Sequence, residues 1–256
     1  MKIAVSGKGG AGKTTISALL CRALEAKGRE VIAVDADSNP NLACALGVPD
    51  FEKIIPLAEM GDLIREKTGA QKGSVGAYFK MNPDVSDIPE RFRHCAGRIQ
   101  LLVMGSVTRG NSGCVCPEYV LIRSLISYLL LNGDQDMVID MEAGLEHLGR
   151  GVTEKVDMLF IVVRPSKVSG ITASRICKLA RDININKILG IGNGIRSERD
   201  KEYVQDQVKE LEFSGFFPDS DLVTDYERAG KDVFTIPEFR HNADKLIAHI
   251  SETADG

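Results

Sequence analysis

The chain has 256 residues, 43% of them hydrophobic, with a formal net charge of −4 and a pI of about 5.7. That length suffices for one α/β domain spanning 1–256 with a sizeable core. The charge shows no basic face for nucleic acid, no apolar run nears the ~20 residues of a bilayer span, and the chain enters a strand at once without a leader, so a cytoplasmic protein without nucleic-acid or membrane partners is expected. Six cysteines in this length read as thiols or ligands, not as a disulfide scaffold.

Lys2-Ile3-Ala4-Val5-Ser6 is a short apolar run that reads as a buried strand. It leads into Gly7-Lys8-Gly9-Gly10-Ala11-Gly12-Lys13-Thr14-Thr15, which fits G-x-x-x-x-G-K-[ST]. Such a loop works mainly through its backbone. Its glycines take φ > 0 and aim amide N–H groups at phosphate oxygens. Lys13 adds a point charge for the β- and γ-phosphates, and the Thr14 hydroxyl suits Mg²⁺. Ile16, Leu19, Leu20, Ala23 and Leu24 then recur at helical spacing. The phosphates would thus meet a helix N-terminus, where the macrodipole favours anions.

A second strand, Glu30–Asp35, ends on acid, and Asp37 follows two residues on. Two carboxylates so placed, opposite a phosphate loop, suit the water shell of Mg²⁺ and the positioning of an attacking water. Residues 51–97 are the least regular stretch. They hold one expected helix, Leu57–Glu66, and otherwise read as a hairpin lid or a partner-binding insert. His94 and Cys95 have no partner at metal spacing and are expected to be structural. Further strands are expected at Ile99–Met104, Met137–Met141, Asp157–Val163, Lys187–Ile191 and Gly215–Phe217. Helices are expected at Pro117–Leu131, Val168–Ile183, Ser197–Leu211, Asp221–Ala229 and Pro237–Glu252. This alternation predicts a doubly wound, mostly parallel sheet flanked by helices. Ligands then bind at the carboxyl ends of the strands, where Asp35, the Gly105–Cys116 loop, Asp140 and Asn193 gather on one rim.

Three motifs lie on that rim. Asp140-Met141-Glu142-Ala143-Gly144 offers a second Mg²⁺-shell carboxylate and a glycine N–H able to sense a γ-phosphate. Gly192-Asn193-Gly194 offers an amide that can pair with adenine N6 and N7, and the Asn-Lys-x-Asp run of guanine readers is absent. ATP is therefore the expected nucleotide. Cys114-Val115-Cys116-Pro117 sets Pro117 at the first position of a helix and Cys116 at its N-cap, where the dipole lowers a thiol pKa. Two thiolates half-complete a tetrahedral site, and a two-fold dimer supplies the other pair. A chance pair, a strained redox pair and an iron–sulfur cluster across the dimer stand beside the favoured mononuclear bridge. Cys21, Cys44 and Cys177 fall in helical stretches and are expected to be small buried hydrophobes.

With Lys8 after its first glycine, the loop resembles the deviant Walker A loop of the family that holds the nitrogenase iron protein, the cell-division-placing ATPases and the plasmid-partition ATPases. The similarity spans almost the whole chain and implies a P-loop fold, with ATP or ADP and Mg²⁺ driving a homodimer. By that resemblance Lys8 reaches the partner's phosphates and Asp37 orients the attacking water. Asn193 and the segment around Pro218 match the family's adenine contacts. Within the family, the Cys-x-Cys pair and Ile139–Arg150 (Ile-Asp-Met-Glu-Ala-Gly-Leu-Glu-His-Leu-Gly-Arg) resemble the nickel-insertion ATPases of the CooC type, which mature anaerobic carbon monoxide dehydrogenase. That resemblance implies a metallochaperone with carbon monoxide dehydrogenase as its partner. Ni²⁺ or Zn²⁺ would bridge two chains through Cys114 and Cys116. Glu142 and His147 lie in this switch-like stretch, where a conformational role is favoured over metal binding. Two other classes are an iron–sulfur ATPase that donates electrons and a spatial-positioning ATPase acting on membrane or DNA. The latter needs a basic amphipathic tail, and Ile-Ser-Glu-Thr-Ala-Asp-Gly at 250–256 is not one.

Overall fold

The computed structural model describes residues 1–70, 79–105, 116–142, 144–145, 155–185 and 187–252. In chain order its elements are β1 (Lys2–Gly7), α1 (Lys13–Ala26), β2 (Val31–Ala36), α2 (Leu42–Ala45), α3 (Gly61–Thr68), α4 (Ile88–Phe92), β3 (His94–Ala96), β4 (Ile99–Val103), α5 (Pro117–Asn132), β5 (Asp136–Met141), β6 (Met158–Val163), α6 (Lys167–Asp182), β7 (Ile188–Ile195), α7 (Glu198–Gln207), β8 (Glu212–Pro218), α8 (Asp221–Arg228) and α9 (Pro237–Glu252). The strands form one sheet in the order β3-β4-β2-β5-β1-β6-β7-β8. All neighbours run parallel except β3, which pairs antiparallel with β4. This is the expected doubly wound architecture.

Both faces of the sheet are covered, so its central strands are buried and largely apolar, with acids near the ends of β2 and β5. Their period of two still sorts the side chains. Ile3, Val5, Val31, Ala33, Phe160 and Val162 join the core under α1 and α9. Ala4, Ile32, Val34, Leu159, Ile161 and Val163 join the core under α5 and α6. The apolar positions expected on α1 (Ile16, Leu19, Leu20, Ala23, Leu24) are all buried, and α1 packs against α9. Leu121, Ile122, Leu125 and Leu129 bury one face of α5, while Arg123 stays exposed, so the longest apolar run is a core helix. Among the described residues no helix is long and apolar enough to cross a membrane.

Several boundaries differ from expectation. The helix expected at Leu57–Glu66 begins at Gly61. Ahead of it, Leu57–Glu59 is a tight 3₁₀ turn. The Ala58 N–H donates to the Met104 carbonyl at 3.0 Å, which ties this turn to the end of β4. Leu57, Leu63, Ile64, Val85 and Ile88 are buried in the core beside α5, so the described parts of 51–97 act as cover for the sheet. β3 has only three residues and carries no periodic signal. His94 and Cys95 belong to that edge strand. β7 runs on to Ile195, so Asn193 lies inside the strand, beside a register irregularity against β8.

The chain order places the phosphate loop centrally. β1 lies between β5 and β6, and the loop leaves its carboxyl end. Val5 and Asp35 both align with Asp140, on opposite sides of β5. Parallel pairing thus delivers Asp35, Asp140 and the loop to one place.

Candidate functional site

Two glycines make the loop possible. Gly7 has φ 152°, and a Cβ there would lie 2.6 Å from the Val162 carbonyl oxygen on β6. Gly12 has φ 93°, and a Cβ there would lie 2.1 Å from Nδ2 of Asn193. Gly12 is also the N-cap of α1, and no side chain caps it. The amides of the first turn, which have no intrahelical acceptor, are therefore available to an anion.

The charged groups converge behind the loop. Lys13 is buried, 7% exposed, with Nζ 3.7 Å from Oδ2 of Asp37, which is 20% exposed. Asp140 is fully buried. Its Oδ1 accepts the Ser17 hydroxyl at 3.2 Å. Its Oδ2 is buried with no hydrogen-bond partner among the described residues. Burial, and then the neighbouring Asp35 charge, push the Asp140 carboxyl up to about 7, against the pull of the Thr14 hydroxyl and the Lys13 cation. An orphaned carboxylate oxygen beside a hydroxyl and a phosphate loop is the donor set a hard cation takes, so Thr14 and Asp140 fit Mg²⁺.

Asp35 is placed differently. It is fully buried, and burial raises its carboxyl to about 6. Its Oδ1 accepts the Asp37 N–H at 3.3 Å and its Oδ2 accepts the Leu42 N–H at 2.8 Å. It anchors the loop that carries Asp37.

Two clefts open at the loop. One, about 320 Å³, is lined by Lys13, Thr14, Thr15, Cys44, Glu227 and Lys231. The other, about 240 Å³, is lined by Gly12, Thr15, Arg164, Asn193, Pro218 and Glu227. Gly10, Gly12, Thr15 and Glu227 line both, so the phosphate end is continuous with the expected base end. Asn193 donates its Nδ2 to the Ala11 carbonyl at 2.8 Å. The amide carries a second hydrogen, so this bond does not use up its donors. The Thr15 hydroxyl donates to Oε1 of Glu227 at 2.8 Å, a contact reached across 212 residues that no local pattern announces. Ser17 stands three residues beyond Thr14 on the same helix, and that spacing does point it at Asp140. Lys8 folds its Nζ onto the Gly9 carbonyl at 3.2 Å, with Gly9 and Gly10 exposed at the rim.

The cysteines need two corrections. Cys116 is the N-cap of α5, with Pro117 next, as expected. Its thiol is nonetheless pushed up, not down: burial dominates, and the Glu118 carboxylate adds to it against an opposing backbone hydrogen bond. Cys44 is only half-buried and lines the phosphate cleft, whereas Cys21 and Cys177 are buried as expected. Cys114 and His147 lie outside the described residues. Among the described residues no three His, Cys, Asp or Glu side chains gather as a metal site.

The family description "CobQ/CobB/MinD/ParA nucleotide binding domain" matches residues 2–233. The chain is 44% identical over 253 residues to an uncharacterized ATP-binding protein of Methanocaldococcus jannaschii, covering 98% of this chain and 97% of that protein. It is 42% identical over 255 residues to the carbon monoxide dehydrogenase accessory protein CooC of Rhodospirillum rubrum, again covering 98% and 97%. Its fold is similar to that of the septum site-determining protein MinD of Pyrococcus horikoshii, solved with Mg-ADP, at a TM-score of 0.69 and 22% identity over 99% of this chain and 97% of that one.

The Asp140 carboxyl yields a stability prediction. Its pKa in the fold, about 7, lies above the ordinary 3.8, so the folded chain holds the proton more tightly than the unfolded chain. The stability this gives is complete below pH ~4 and is lost as pH rises through ~7. Asp140→Asn removes the buried charge, so nucleotide-free variant should melt higher than wild type at pH 8, with the gap closing toward pH 4. A lower melting temperature in the variant at pH 8 contradicts this.

Proposed function

The chain belongs to the CobQ/CobB/MinD/ParA nucleotide-binding family and is an ATPase, and from that premise we propose that it loads nickel into the carbon monoxide dehydrogenase metal cluster. The observation that carries the ATPase chemistry is the convergence of Lys13, Asp37 and the orphaned Asp140 oxygen on an uncapped helix N-terminus. Relatedness to CooC over nearly the full length of both chains supports carbon monoxide dehydrogenase as the protein it serves.

Lys13 and the loop amides hold the β- and γ-phosphates, and Asn193 and Pro218 meet the adenine. Thr14 and Asp140 would hold Mg²⁺, which when bound would supply positive charge against the charge that builds between the phosphates. Asp37 holds a water in line with the γ-phosphorus. A bond from that water to phosphorus forms as the bond to the β–γ bridging oxygen breaks, and ADP leaves with that electron pair. Lys8, at the exposed rim, reaches the phosphates of a second chain, where a cation aimed at developing charge has its largest effect. Two copies of Cys114 and Cys116 close a four-thiolate site for Ni²⁺ or Zn²⁺ across the dimer. Metal binding at Cys116 would have to displace its thiol proton, which burial and Glu118 hold more tightly, so loading should respond to pH.

Lys13→Ala should abolish turnover and weaken nucleotide binding. Asp37→Ala should bind ATP normally and hydrolyse it about a hundredfold more slowly, since water positioning alone is lost. Normal turnover in Asp37→Ala would remove that residue from the reaction. For the cargo, metal analysis with mass measurement should find about one Ni²⁺ or Zn²⁺ per two chains, with metal promoting the dimer. Cys116→Ser or Cys114→Ser should lose metal and metal-driven dimer while keeping ATP binding. A tight site surviving the double substitution overturns the bridge, and a visible iron–sulfur chromophore turns the reading to electron donation.

A further inference from the structure

Glu142 follows Asp140 by two residues and touches three segments at once. Its side-chain Oε1 accepts the Ser38 backbone N–H at 2.8 Å. Its main-chain carbonyl accepts the Ser6 hydroxyl at 2.9 Å and the Gly144 N–H at 2.7 Å. Ser6 immediately precedes the phosphate loop, and Ser38 immediately follows Asp37.

The loop that carries Asp37 depends on such contacts. Ser38, Asn39 and Asn41 are exposed, so packing does not fix it. Asp35 receives its amides at Asp37 and Leu42. Asp37 accepts the Asn39 N–H at 3.0 Å. The Glu142 carboxylate is the hold that comes from β5. A hydrogen bond to a carboxylate is charge-assisted and shorter-ranged in its geometry than a packing contact. Small displacements of a water-positioning group are costly, because the attack must be in line.

We propose that Glu142 is a positioning residue for hydrolysis, its carboxylate fixing the Asp37–Ser38 loop against the phosphate loop. Its carbonyl makes that hold responsive to nucleotide. A γ-phosphate that draws the Gly144 N–H takes it from the Glu142 carbonyl, and the change reaches Ser38 through one side chain. The inference rests on Asp37 as the water-positioning group.

The test compares kcat and ATP affinity in Glu142→Ala, Glu142→Gln, Asp37→Ala and the Asp37→Ala/Glu142→Ala double variant of the full chain. Glu142→Ala should lower kcat about tenfold or more with ATP affinity held within about twofold. Glu142→Gln keeps an acceptor oxygen for Ser38 and should recover most of the rate. The double variant should be no slower than Asp37→Ala alone, because Glu142 acts through Asp37. Wild-type kcat in Glu142→Ala beside a slow Asp37→Ala overturns this inference alone. So does a Glu142→Gln as slow as Glu142→Ala, or a double variant slower than Asp37→Ala. Normal turnover in Asp37→Ala overturns the water-positioning reading itself.

Discussion

Asp35 and Asp140 stand in register on neighbouring parallel strands, both fully buried, and the arrangement of the site follows from that pair. In this poorly solvated place the Asp35 charge raises the Asp140 carboxyl beyond what burial alone does. The fold holds them by giving each a different set of partners. Asp35 is met by loop amides, and Asp140 by the Ser17 hydroxyl on one oxygen only. The remaining Asp140 oxygen lies beside the phosphate loop, where a divalent cation would satisfy it. The sheet order makes the pairing unavoidable. β5 lies between β2 and β1, so the acids that end β2 and β5 meet at the loop that leaves β1.

The division of labour between Asp35 and Asp37 was not legible from their spacing. The Asp-x-Asp pattern marks both Asp35 and Asp37 as candidates for the cation. Only the hydrogen bonds to Asp37 and Leu42 show Asp35 acting as an anchor for its own loop. The phosphate loop was legible because its chemistry is local, with glycines, lysine and threonine adjacent in sequence. The central strands were legible because burial on both faces makes them largely apolar. β3 was not, because three residues at a sheet edge carry no period. Glu227 was not, because an acid on a polar helix acquires its contact with Thr15 from tertiary packing alone. Cys116 was placed correctly, but its thiol moved up against expectation because burial and Glu118 outweigh the backbone hydrogen bonds that would lower it.

Cys116, the N-cap of α5, and Asp140, near the end of β5, bracket one helix–strand unit in the chain. α5 begins at Pro117, just after Cys116, and is followed by β5, which ends at Met141, one residue before Glu142. A metal held before α5, as proposed, would be linked to a nucleotide held beside Asp140 through that helix–strand unit. Coupling between them needs metal affinity to differ between nucleotide states, and a difference of about 10⁴-fold would swing a two-state population fully. The contacts of Glu142 with Ser38 and Ser6 would supply the short-range part of such coupling at the nucleotide end.

The proposed cation site is tested most directly by Mn²⁺ paramagnetic resonance with a non-hydrolysable ATP analogue. Mn²⁺ substitutes for Mg²⁺ in an oxygen-ligand site and reports on its surroundings. The arrangement around Asp140 and Thr14 predicts about one ion per chain, bound tightly only with nucleotide present, and a changed spectrum with weaker binding in Asp140→Asn. Mn²⁺ bound equally well without nucleotide, or a spectrum and affinity unchanged by Asp140→Asn, would contradict it.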